Sequence, residues 1–150
     1  MTTDSQNPIN SIDRPVSAIL TATRSRIDTP EKWTTEFYAR DANGITRAST
    51  DSMACKFCMI GAVLAEYKQG STMDIPLGWN NPALWMLATA LASKVGRRCS
   101  PTSIPEFNDS ETTTHADVLE VFDAAIAAAK EREAAYEQSM ATTDNTTATE

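Results

Sequence analysis

Three cysteines and one histidine are the side chains of this 150-residue chain with the strongest claim on chemistry. Cys55-Lys56-Phe57-Cys58 has the spacing of a thiol–disulfide pair. In redox proteins such a pair opens a helix after a strand, and the helix dipole lowers the first thiol's pKa. Cys55 falls near the start of a helical pattern, but no strand signal precedes it. Cys55, Cys58, Cys99 and His115 also have the donor types of a closed tetrahedral zinc site, although fifteen residues separate Cys99 from His115 where a short knuckle would be usual. Cys58 with His115 would alternatively make a thiol nucleophile and its base, oriented by Asn108 or Asp109, but no glycine-rich oxyanion loop accompanies them. The leading reading is packing. Ala54, Cys58, Gly61 and Ala65 fall on one stripe of a helix, and a buried cysteine behaves there as a small apolar residue. No cofactor is therefore expected, zinc being the alternative.

Asn108-Asp109-Ser110 is the second candidate. Asn and Asp side chains satisfy their own loop and cap the helix that follows. The functional alternative is a polar floor to a cleft lined by Phe107, Trp33 and Trp79, where amide and carboxylate would orient a ligand. Asn108, Asp109, Trp33, Trp79 and Phe107 are thus the expected binding residues, with no catalytic residue among them. Trp79 and Trp85 are either core or aromatic anchors of an interface. Lys94, Arg97 and Arg98 gather at a helix end, where cations complement the dipole without a ligand.

The elements that must position these residues read as helices. Val16, Ile19, Leu20 and Ile27 share a face of a first helix over Pro15 to Ile27. Thr29-Pro30-Glu31 is a helix start, predicting a short second helix with Trp33 and Phe37 one turn apart and an end near Tyr38. Asp41-Ala42-Asn43-Gly44 is a turn with Asn-Gly able to take positive φ at both central positions, joining Tyr38–Arg40 to Ile45–Arg47 in a small hairpin. A central helix is expected from a cap at Thr50, Asp51 or Ser52 to about Lys68, with Met53, Phe57, Ile60 and Leu64 as its apolar face. Apolar residues cover most of its circumference, which places it inside a bundle. Its Gly61 costs ~1 kcal/mol relative to Ala, offset if a neighbouring backbone approaches closely. Asn80 or Asn81 caps the next helix before Pro82, with Leu84, Leu87, Ala88, Leu91 and Val95 on its core face. Residues 99 to 112 are irregular, and a last helix from Thr113 or Thr114 turns Val118, Phe122, Ala125 and Ala129 inward.

The fold class is accordingly mainly α: an irregular bundle of about five helices with one small β-hairpin. One helical domain over residues 11–138 is expected between polar, disordered tails at 1–10 and 139–150. An odd number of cysteines argues against a closed disulfide framework. No run approaches the ~18 apolar residues that cross a membrane, and the N-terminus lacks a basic and then hydrophobic signal; a cytoplasmic protein is expected. Net charge is −7, which repels phosphate backbones and disfavours nucleic acid as a partner.

Several pieces in order carry a resemblance: Trp33 before Tyr38-Ala39-Arg40-Asp41-Ala42-Asn43-Gly44, then Phe57-Cys58-Met59-Ile60-Gly61-Ala62, then Phe107-Asn108-Asp109 and Val118 to Ile126. Over roughly residues 15 to 130 the chain resembles an uncharacterised family of small bacterial and phage proteins, a domain of unknown function. In outline that family has a Trp, an aspartate-glycine turn, a Cys-x-x-Gly-Ala helix and an aromatic-Asn-Asp loop; Phe107 stands here where the family tends to have Trp. The resemblance implies a fold and a phage or mobile-element context rather than a mechanism. Together with the residues it favours a non-enzymatic accessory protein acting through protein contacts, one form being an acidic inhibitor of a host factor. The rival is a small thiol- or zinc-dependent enzyme built on Cys58, Cys55, Cys99 and His115.

Overall fold

The computed structural model describes residues 14–68 and 80–148, with side chains to 141. Five helices are present: α1 (Val16–Ser25), α2 (Met59–Glu66), α3 (Pro82–Val95), α4 (Ser103–Asp109) and α5 (His115–Ala148). Three two-residue strands, β1 (Ala39–Arg40), β2 (Thr46–Arg47) and β3 (Lys56–Phe57), form an antiparallel sheet in the order β2-β1-β3. The mainly helical expectation holds, and the hairpin gains a third strand.

The frame is α5 with α1 and α3 laid against it. Ser17 meets Glu133 at one end of α1 and Arg24 meets Asp123 at the other. Met86 meets Arg132, and Lys94 meets Glu120, along α3. Both helices therefore run antiparallel to α5. Its inner stripe of Val118, Phe122, Ala125 and Ala129 is buried, at the helical spacing read from the sequence. Thr114 and Asp117 start α5 reciprocally: Asp117 N–H donates to Thr114 Oγ1, and Thr114 N–H donates to Asp117 Oδ2. The helix continues past Met140 to Ala148.

Inside this frame sits α2, with seven of its eight residues buried. It is shorter than the sequence predicts. The expected helix from residues 50–52 is replaced by a turn and β3, because the backbone finds partners on the hairpin. Cys55 N–H donates to Arg40 O and Cys58 N–H to Tyr38 O. Met53, expected in the core, is 54% exposed. Gly61 behaves as its sequence context implies: a Cβ there would collide with the Tyr38 carbonyl. The close neighbour is the hairpin backbone rather than another helix.

Two further elements differ. The short second helix is a single 3₁₀ turn, Pro30–Lys32, after which Trp33 is extended and bridges Phe57. Thr34 N–H donates to Phe57 O, a sheet-edge bond that takes the place of a helical one. Residues 99–112, expected irregular, contain α4. Pro105 lies in its first turn, where a missing N–H costs nothing.

The Asp41–Ile45 turn is a three-residue hairpin loop. Gly44 N–H donates to Asp41 O and Asp41 N–H donates to Ile45 O. Gly44 alone takes positive φ, +82°, not Asn43 as well; a type I turn closed by a left-handed Gly is a standard hairpin loop. The Asp41 carboxylate accepts from Asn43 N–H, Ile45 N–H and Arg47 Nε. On α3, Asn81 Oδ1 caps Ala83 and Leu84, and Pro82 opens the helix, as predicted. Among the described residues no helix is long and apolar enough to cross a membrane.

Candidate functional site

Asn108, near the end of α4, is 1% exposed and stands where α2, α4 and the Trp33–Glu36 segment meet. Its Oδ1 accepts from Trp33 Nε1–H at 2.8 Å and from Met59 N–H at 3.1 Å. Its Nδ2 donates to Thr34 O at 3.1 Å and to Asp109 Oδ1 at 2.9 Å. An amide offers two acceptor sites and two donors, and here all four are used. The orientation is unambiguous, because both groups facing Oδ1 can only donate.

Asp109 extends the clasp. Its Oδ1 also accepts the Glu36 N–H at 2.9 Å. Glu36 has φ +77°, a left-handed conformation that costs a non-glycine residue of order 1 kcal/mol. Two successive side chains of α4 thus hold the loop from Trp33 to Glu36 against the start of α2.

Cys58 is the N-cap of that helix, not a member of its interior stripe. Its Sγ accepts the Gly61 N–H at 3.2 Å, the place usually taken by a Ser or Asp oxygen. Burial pushes the thiol up to about 12 against the help of that hydrogen bond. A thiol held neutral across the physiological range is a poor nucleophile and a poor metal ligand. Cys55 is exposed and Cys99 half-buried, with the Cys99 thiol directed to Arg97 O at 3.6 Å. His115 Nε2 lies 2.6 Å from Ile27 O and its ring 6.0 Å from the Trp33 ring; the carbonyl can only accept, so Nε2 carries the proton. Among the described residues no three His, Cys, Asp or Glu side chains gather as metal ligands would. The zinc constellation and the Cys58–His115 dyad are not assembled.

Of the expected binding residues, Trp33, Asn108 and Asp109 come together, but as a satisfied clasp. Phe107 points elsewhere, into a cleft with Leu91, Val95 and Arg97. Trp79 lies outside the described residues. Trp85 is 43% exposed on α3. Lys94 binds Glu120 at 2.7 Å and Asp117 at 3.3 Å, so its charge is matched by α5 as well as by its own helix end.

Sequence reasoning did not identify an apolar groove of about 390 Å³ where the N-terminal ends of α1 and α3 meet α5. Val16, Pro82, Met86 and Ala129 form its floor, with Arg132 and Tyr136 on its rim. Glu133 is committed to the fold: it accepts Ser17 N–H and Ser17 Oγ–H at the start of α1. Tyr136 and Met140 carry the buried stripe of α5 out of the domain and are 66% and 47% exposed. Their spacing of seven and eleven from Ala129 was the available signal.

The fold and clasp define a small, mainly helical domain with a three-stranded sheet, in which a buried asparagine pins the 33–36 loop to the start of α2. The chain belongs to the family described as Family of unknown function (DUF6197), whose model matches residues 11–128. No curated protein and no solved structure matches it. The match ends before the stretch of α5 that carries Tyr136 and Met140.

Proposed function

We propose that this protein is a non-enzymatic accessory protein that acts through protein contacts, with the groove at α1, α3 and α5 as its docking surface. The observation that carries this reading is the α5 stripe, which leaves the core at Ala129 and continues as exposed Tyr136 and Met140 beside an apolar groove. Exposed large apolar side chains next to a concave apolar floor are the usual sign of an interaction site. The polar constellations offer less to a substrate, since Asn108 has no free hydrogen-bonding position and Cys58 is a buried helix cap.

The occupant is an amphipathic segment of a basic protein. An apolar side would fill the groove along α5, and a chain of net charge −7 attracts cationic partners and speeds their encounter. A host factor with a nucleic-acid-binding surface fits that chemistry, consistent with a phage or mobile-element protein working in the cytoplasm.

The test is capture of partners by wild type, Tyr136→Glu and Trp85→Ala protein under one salt condition. A basic partner retained by wild type and Trp85→Ala but lost with Tyr136→Glu supports the groove. Retention by Tyr136→Glu refutes it.

A further inference from the structure

A second cleft, of about 480 Å³, lies at the other end of α1, between the 48–54 loop and the end of α2. We propose that it binds a small phosphate ester. The cleft is separate from the docking groove, since Arg26 here and Val16 there are separated by the length of α1, about 15 Å.

Ser49 lines this cleft and is 3% exposed, and its Oγ is the one buried side-chain N or O atom without a hydrogen-bond partner among the described residues. A buried unpaired hydroxyl calls for a partner that the protein itself does not supply. Thr50 and Ser52 add exposed hydroxyls on the same loop. Arg26 uses Nε on Glu66 Oε2 at 2.7 Å and stacks over Phe57 at 5.7 Å. Among the described residues its two terminal amino groups have no partner. Lys68 makes no ion pair among the described residues and is exposed at the cleft edge.

Charge sets the sign of the ligand. Glu66 is neutralised by Arg14 and Arg26, and Arg47 lies 2.9 Å from Asp41 and 3.9 Å from Asp51. Of the residues that line the cleft, Arg26 and Lys68 are cationic and Asp51 anionic, in a protein whose overall charge is −7. Asp51 also accepts the Met53 N–H at 2.7 Å, which occupies one of its oxygens. A guanidinium fork, an ammonium and hydroxyl donors suit a phosphate with three acceptor oxygens. The Phe57, Ala54 and Ala65 wall and the volume leave room for an organic group of sugar size.

The test is titration of the full chain with ribose 5-phosphate, inorganic phosphate and acetate at matched ionic strength, read by calorimetry and by the shift in thermal midpoint. Ribose 5-phosphate binds in the millimolar range or tighter, and acetate at least about tenfold more weakly. Lys68→Gln and Ser49→Ala each weaken binding about tenfold without unfolding the protein, because neither side chain has a hydrogen-bond or ion-pair partner among the described residues; one charge-assisted hydrogen bond corresponds to that factor or more. Arg26→Gln weakens it further but also breaks the Glu66 pair, so the first two variants decide. No saturable binding up to about 10 mM, equal binding of acetate, or unchanged affinity in both Lys68→Gln and Ser49→Ala overturns the proposal.

Discussion

Replacing Asn108 by Ala tests whether the Asn108-Asp109 pair is a structural clasp. The substitution removes four hydrogen bonds at once, but their costs differ. Met59 N–H is fully buried at the first turn of α2, and an orphaned buried donor costs about 1–3 kcal/mol. Trp33 is half-buried, so water can replace its lost acceptor, leaving about 0.5–1.5 kcal/mol. Asp109 keeps its bond from Glu36. The sum is about 3 kcal/mol, a large fraction of the 5–15 kcal/mol typical of a small domain. In urea unfolding followed by circular dichroism, with a slope of about 2 kcal/mol/M, the midpoint falls by about 1.5 M. Asn108→Asp retains the acceptors for Trp33 and Met59 but sets a carboxylate against Asp109. It is therefore more destabilised at neutral pH than at acid pH, where one proton is shared. A loss under about 1 kcal/mol for Asn108→Ala would refute the clasp and return the amide to the list of free, ligand-facing groups.

Gly61→Ala drives a methyl group into the Tyr38 carbonyl; thermal unfolding should show a loss of about 3 kcal/mol or more, and a stability within about 1 kcal/mol of wild type contradicts the close packing. Cys58, with its thiol at about 12, should resist a thiol reagent at pH 8 until the protein unfolds, whereas exposed Cys55 reacts at once. Cys58→Ser preserves the cap and Cys58→Ala costs about 1 kcal/mol, measured by the same denaturation. Asp41 has its carboxyl lowered first by the Ile45 N–H, then by Arg47, against opposing burial. The unfolded chain therefore binds the proton more readily, and this stability is present above the unfolded value of ~4. It is lost as pH falls through the lower folded value, and Asp41→Asn should flatten that part of the acid unfolding curve. Chelation by EDTA should leave the melting temperature unchanged, and one equivalent of tightly held zinc would reverse the account of the cysteines.

What the sequence revealed follows from how local each signal is. Asp41, Asn43 and Gly44 lie within four positions, so the hairpin turn was readable although its type was not. Asn81-Pro82 likewise marks the start of α3 by itself. The start of α2 was hidden because Met53, Phe57, Ile60 and Leu64 fit a helical period, and two-residue strands are too short to show alternation against it. What decides the matter is bonding of Cys55 and Cys58 to Arg40 and Tyr38, more than a dozen residues upstream. Asn108 stands out in the sequence for its residue type, yet its partners Trp33 and Met59 are 75 and 49 positions away, and nothing local separates a clasp from a cleft floor. The groove was invisible for the same reason: Val16, Met86 and Tyr136 meet only once three helices are packed.

The most direct measurement is partner capture by wild-type and Tyr136→Glu protein, with far-UV circular dichroism and melting temperature recorded on both. The account predicts two proteins equally folded, with a basic partner bound by wild type and lost, by about tenfold or more in affinity, from Tyr136→Glu. Equal capture by both, with capture lost instead in a folded Asp109→Asn variant, would contradict it and place recognition at the clasp.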